Sequence, residues 1–342
     1  MQRAQIIGLA VVVALVGGLV WWVRQSNHPS VIPVGGSTGV ATTPSSPGRP
    51  SVAGKGVGSQ RLRLPDRVQL IVTPEAKTGI GARISAVHAL GTELTSPESE
   101  ALAEYLRTPS RAEAPGSALE NFLRNEILDK LVAQRTVPVG LPGLLAGIYQ
   151  DHHQDVVMRD YAVQHIPAIC GKLSTLERAA LHKTLWDATD ETDGTIAGTS
   201  LLALLAVTDA ANDGSPRLSS TALVSSNSPP SDSARFTTEI DRGRLAETAL
   251  RLASDKHCGE LSRLTALSVC GRLKVAAALP VVTDVARRGP DVPLRLAAIA
   301  ALGDLGELTT VGLLEELSQG PETRLRMAAT AALGRLKKRL EI

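Results

Sequence analysis

The sequence predicts an all-α protein, an α-solenoid of antiparallel helix pairs behind an N-terminal transmembrane helix. Three observations predict it. Ile6 to Val23 form an uninterrupted apolar run of 18 residues. An alanine-rich helical signature led by arginine recurs along the rest of the chain. Hydrophobic residues make up 43% of the 342 residues but aromatics only 2%. The core must therefore be built of Leu, Ala, Val and Ile, the usual filling of stacked helices.

The apolar run comes first. At 1.5 Å per residue it spans ~27 Å, close to the hydrocarbon thickness of a bilayer. Trp21 and Trp22 stand at its end, where amphipathic rings favour the headgroup level. No A-x-A-like site follows, which argues against a cleaved signal peptide, and no Cys directly follows for lipoprotein processing. Residues 1–25 are read as an uncleaved anchor. Arg3 precedes the run and only Arg24 follows it closely. A short basic N-terminus stays inside while a long domain crosses. The expected location is the bacterial inner (cytoplasmic) membrane, single-pass, with the repeat domain periplasmic.

Residues 26–60 are rich in Pro, Gly, Ser and Thr. They cannot bury enough apolar surface to offset chain entropy, so a disordered tether is expected. Two glycine-rich echoes of phosphate loops lie here, at Gly48 to Gly56 and in "GKGVG". Neither follows a strand or opens a helix, so backbone N–H groups could not converge on a phosphate.

Residues 61–342 carry the repeats. "RLTALSVCGRL" begins at Arg263, "RLAAIAALGDL" at Arg295 and "RMAATAALGRL" at Arg326, at intervals of 32 and 31 residues. A further copy, "RISAVHALGTEL", begins at Arg83, and looser ones at Arg124 and Arg159. Self-similarity at this period marks stacked supersecondary units. After each copy come a short turn and a second amphipathic helix. Gly289-Pro290, Gly320-Pro321 and Thr108-Pro109 punctuate the strongest of these, and Gly303 reads as the stop of its own helix. Three residues after Arg83, Arg159, Arg263, Arg295 and Arg326 stand Ala86, Ala162, Ala266, Ala298 and Ala329, small enough for helices to cross at ~8–10 Å. Glu120, Asp155, Asp291 and Glu322 lie four residues before Arg124, Arg159, Arg295 and Arg326. That spacing predicts i, i+4 ion pairs holding the arginine in place. One interruption, at about 210–238, is polar and Pro/Ser-rich and is expected to be a disordered insertion.

The pattern R-x-x-A-x-x-A-L-G-x-L inside helix pairs resembles the HEAT repeat family, in particular the short bacterial HEAT-like units. The match covers Glu260 to Leu340 well, Gly81 to Leu106 fairly well, and Asp155 to Leu173 with an extra helical turn and Pro167. The resemblance implies a right-handed solenoid of about six repeats whose second helices line a concave docking face. Trp186 and His182, on one such helix, are the first guess for an interface, although Trp186 reads first as the plug of its repeat's core.

Charge and chemistry narrow the function. With 36 basic and 34 acidic residues there is no basic stripe of the kind nucleic-acid binders carry. The cluster Arg335, Lys337, Lys338 and Arg339 closes the last helix, where cations complement its dipole. Cys170, Cys258 and Cys270 form no C-x-x-C, and an odd count at these spacings suits buried thiols rather than a redox or zinc site. "DHHQD", Asp151 to Asp155, is the one metal candidate, with His165 in reach, but adjacent histidines rarely point at one ion. No nucleophile motif is present. HEAT-like scaffolds do include enzymes, bilin lyases and alkylpurine DNA glycosylases. Neither the acid–Cys arrangement of the first nor the basic aromatic groove of the second is found. The expectation is a membrane-tethered protein–protein interaction scaffold without catalytic residues, cofactor, metal or small-molecule substrate. The alternatives are a HEAT-scaffold enzyme or cofactor carrier, and a purely structural envelope protein.

Overall fold

A computed structural model describes residues 65–73, 79–109, 117–191, 194–213 and 240–342. The described residues all fall in one compact unit, Arg61–Ile342. The expected anchor at 1–25 and the expected tether at 26–60 lie outside them, as does most of the insertion expected near 210–238. No described helix is long and apolar enough to cross a membrane.

Among the described residues the protein is all-helical, with fourteen α-helices and no strand. They are α1 (Asp66–Val72), α2 (Ile80–His88), α3 (Ser96–Arg107), α4 (Ser117–Val132), α5 (Leu141–Gln150), α6 (Val156–Cys170) and α7 (Thr175–Ala188). After these come α8 (Ile196–Asp213), α9 (Arg242–Ser254), α10 (Glu260–Leu273), α11 (Leu279–Arg288), α12 (Val292–Leu305), α13 (Val311–Ser318) and α14 (Thr323–Leu340). Sequence dictates many of the starts. Thr95 with Glu98 and Ser174 with Glu177 form capping boxes before α3 and α7, each satisfying orphan N–H groups of the first turn. α8 runs four residues into the stretch read as an insertion.

Helices of alternate number form two rows. Each even helix packs on the next even helix, from α2 through to α14, and each odd helix packs on the even helix that follows it. This arrangement is consistent with an α-solenoid type fold. It also shifts the unit boundary. α11 packs extensively on α12, and α13 on α14, across the Gly-Pro turns. The arginine helix is therefore the second member of its pair, and the described residues hold seven pairs.

The arginines show why. Arg83 donates from Nε and Nη2 to the Ile71 carbonyl at 2.9 and 2.6 Å. Arg159 Nε reaches the Tyr149 carbonyl at 2.7 Å, and Arg263 Nε the Ala253 carbonyl at 3.0 Å. Arg295 Nε donates to the Ala286 carbonyl at 3.2 Å and Arg124 Nη1 to that of Leu106 at 3.4 Å. Each acceptor belongs to the last turn of the preceding odd helix, where carbonyls lack an intrahelical partner and carry negative partial charge. One guanidinium thus closes one helix while anchored on the next. The predicted i, i+4 ion pairs are mostly not what holds it. Only Arg124 meets its acid, Glu120, at 3.3 Å. Asp155 and Asp291 instead accept from Val157 N and Leu294 N, capping α6 and α12, so the acid spacing is a helix-start signal.

Gly303 also differs from its reading as a stop. α12 continues through Gly303 to Leu305, and α10 through Gly271 to Leu273. A Cβ on Gly271 would lie 2.9 Å from Ala301 Cα, and one on Gly303 3.0 Å from Ala332 Cα. The missing Cβ therefore lets the next even helix approach. Gly198 of α8 meets Ser262 of α10 in the same way, at 2.9 Å. The fully buried Ser262 hydroxyl accepts from Gly198 N and donates to the Gly194 carbonyl, both at 3.0 Å. The even row therefore continues from α8 to α10 although 26 residues of sequence between Asp213 and Ile240 are outside the description. The five alanines predicted at helix crossings are all buried.

Candidate docking surface

The alanines of the repeat signature are buried and its arginines are mostly engaged with backbone carbonyls, so recognition chemistry must be sought on what stays outside. Leu119 and Phe122 of α4 and Val156 and Val157 of α6 are between 41% and 52% exposed. Arg124 and Arg159 close the preceding helices in the same way, so α4 and α6 share a register. That register sets these four apolar chains at the N-terminal ends of two neighbouring even helices that pack together. Scattered single apolar residues need no explanation, but a group on adjacent helices is what contact patches are made of.

Beyond this group α4 and α6 turn polar. His88 Nε2 meets Glu126 Oε2 at 2.6 Å, and His165 Nε2 meets Asn125 Oδ1 at 2.8 Å. Burial pushes the His165 imidazole down to about 4, so it is neutral at pH 7. Its 3.7 Å contact with Asp129 is then a dipolar contact rather than an ion pair. Burial, and secondly the Glu126 charge, raise Asp129 to about 6.

The residues singled out in the sequence are placed as follows. Asp151 Oδ1 accepts from His153 N at 3.0 Å and Asp155 caps α6, so both carboxylates of "DHHQD" serve the backbone. His152 and His153 are exposed, and His165 lies against α4 instead of joining them. Among the described residues no group of three or more His, Cys, Asp or Glu could hold a metal. The three cysteines are buried and free, and burial pushes the Cys170 and Cys270 thiols up to about 12, which leaves them unreactive at neutral pH. Trp186 is half-buried, with the Arg244 guanidinium 4.1 Å from its ring centroid, and His182 is buried. The Trp186 ring lies against Arg244 of α9, while His182 lines a space bounded by α6 and α8. Arg335 and Arg339 donate to the Ala300 and Gly306 carbonyls, and Lys337 pairs with Glu315 at 2.9 Å. The terminal basic cluster therefore ties α14 to α12 and α13, which is more than a response to its own helix dipole.

Sequence reasoning missed the group on α4 and α6. The exposed residues belong to the two looser copies, where the repeat pattern is weakest. No single-residue signal marks them apart from core residues.

No family model matches the chain, and no curated protein matches it. Among solved structures, human deoxyhypusine hydroxylase in complex with glycerol is similar at 21% identity. The likeness covers 80% of this chain and 95% of that one with a TM-score of 0.34, too distant to carry any argument.

Proposed function

We propose that the chain is a HEAT-like, right-handed repeat scaffold that docks another protein while tethered by its N-terminal segment to the bacterial inner membrane, with the repeats on the periplasmic side. The observation that supports this best is the division of labour among side chains. The repeated Arg, Ala and Gly positions serve packing, no catalytic constellation is assembled among the described residues, and apolar side chains remain exposed together on α4 and α6. A docking site needs such an apolar centre, where a few residues carry most of the binding energy.

The experiment is chemical cross-linking and co-purification of the full-length chain from its native membranes, wild type against the Phe122→Asp/Val157→Asp double variant. The substituted positions touch solvent already, so the melting temperature should stay within about 2 °C, the effect of roughly ±0.5 kcal/mol at a surface site. The wild type should retain a stoichiometric protein partner and the variant should lose most of it. Equal retention by both, or no partner with either, contradicts the proposal.

A further inference from the structure

A cavity of about 170 Å³ lies between α6, α7 and the C-terminal half of α8, lined among others by Pro167, Cys170, Arg178, His182, Val207 and Ile240. Several departures from the repeat meet there. Pro167 sits inside α6 and brings no N–H to the helical ladder. His182 is buried and its Nε2 has no hydrogen-bond partner. A buried polar atom left without a partner is unfavourable.

Arg178 supplies the charge. Its Nε and Nη2 donate to the Cys170 and Leu173 carbonyls at 3.1 Å each, which fixes the guanidinium at the end of α6. Arg83, Arg124 and Arg159 each also meet a glutamate. Among the described residues no acidic side chain lines this cavity, and Arg178 makes no ion pair. Burial, and secondly the Arg178 charge, lower the His182 pKa, so the ring stays neutral and keeps one N–H donor. The remaining walls are mainly apolar, and an apolar cavity of ~150 Å³ is large enough to hold one six-membered ring.

We infer that this cavity binds a compact monocarboxylate, its carboxylate against Arg178 and His182 and its apolar body against Pro167, Val207 and Ile240. A fixed guanidinium favours a planar carboxylate, and the volume admits a body of about one ring. The inference stands apart from docking on α4 and α6, and it departs from the sequence expectation of no small-molecule ligand.

The test uses benzoate as the probe, followed by saturation-transfer NMR on the full-length chain in lipid nanodiscs, with empty nanodiscs subtracted. The expected result is saturable transfer at millimolar benzoate. Benzyl alcohol, of similar size but neutral, should compete at least about tenfold more weakly, because a hydrogen bond to a charged group contributes about 1.5–3 kcal/mol. Val207→Trp, which fills the cavity from the α8 wall and leaves Arg178 in place, should abolish the signal. Arg178→Gln should weaken it at least about tenfold; the benzyl alcohol comparison on wild-type protein reads the same charge without depending on that variant's folding. Absence of saturable transfer, equal competition by benzyl alcohol, or an unchanged signal in a folded Val207→Trp variant would each overturn the inference.

Discussion

Arg159→Met should lower the midpoint of thermal unfolding by roughly 5–15 °C, a loss of about 2–4 kcal/mol. Arg159 Nε closes α5 through the Tyr149 carbonyl at 2.7 Å, and Nη2 meets Glu191 Oε1 at 2.5 Å. Its guanidinium also lies 5.3 Å from the Tyr149 ring centroid. Methionine keeps the stem and the packing but strips the carbonyl and the carboxylate of their shared donor. The side chain is 8% exposed and that of Glu191 24%, so water can compensate the carboxylate only in part. That places the cost below what a fully buried pair would show. Arg159→Lys should recover little, since an ammonium lacks the planar fork needed to reach both acceptors at once. Circular dichroism melts of the three proteins check this, and a Met variant that melts with the wild type would refute the role given to the arginine.

Gly271→Val should destabilise by about 1–3 kcal/mol, while Gly334→Ala should stabilise by up to about 1 kcal/mol. The two glycines occupy the same place in their repeats, eight residues after Arg263 and Arg326. A Cβ at Gly271 would press on Ala301 Cα at 2.9 Å and Ala301 Cβ at 3.1 Å, and backbone cannot step aside as a flexible side chain can. Gly334 has nothing within 4 Å among the described residues. There alanine simply removes the entropic penalty of glycine inside a helix. Opposite signs at equivalent positions, read from urea unfolding midpoints, are what a helix crossing predicts. Equal signs would mean that the glycines act through local helix propensity alone.

Helices were legible in the sequence because each apolar face repeats at helical spacing and because Gly-Pro turns punctuate them. The partnership between helices was less legible. Arg295 and Asp291 stand four residues apart, and the spacing suggests a pair. Which groups they meet depends on the carbonyl of Ala286 and the N–H of Leu294, backbone groups that carry no residue identity. Gly303 misled for a related reason. Glycine suits a helix end and a close crossing equally well, and only the position of Ala332 on another helix decides between them. The exposed chains Phe122 and Val157 look like core residues until the neighbouring helix is in place. The cavity beside His182 is further still from the sequence, since its walls come from three helices and from Ile240, 73 positions after Pro167.

At the centre of this account is the claim that repeated residues couple each helix only to its neighbours and leave recognition to the surface. In such an array, stability is a sum of unit and nearest-neighbour terms. Hydrogen exchange measured by mass spectrometry on the full-length chain, wild type against Gly271→Val, tests it most directly. The account predicts faster exchange concentrated in α10 to α13, with α2 to α4 protected as in the wild type. Faster exchange spread evenly from α2 to α14 would contradict it.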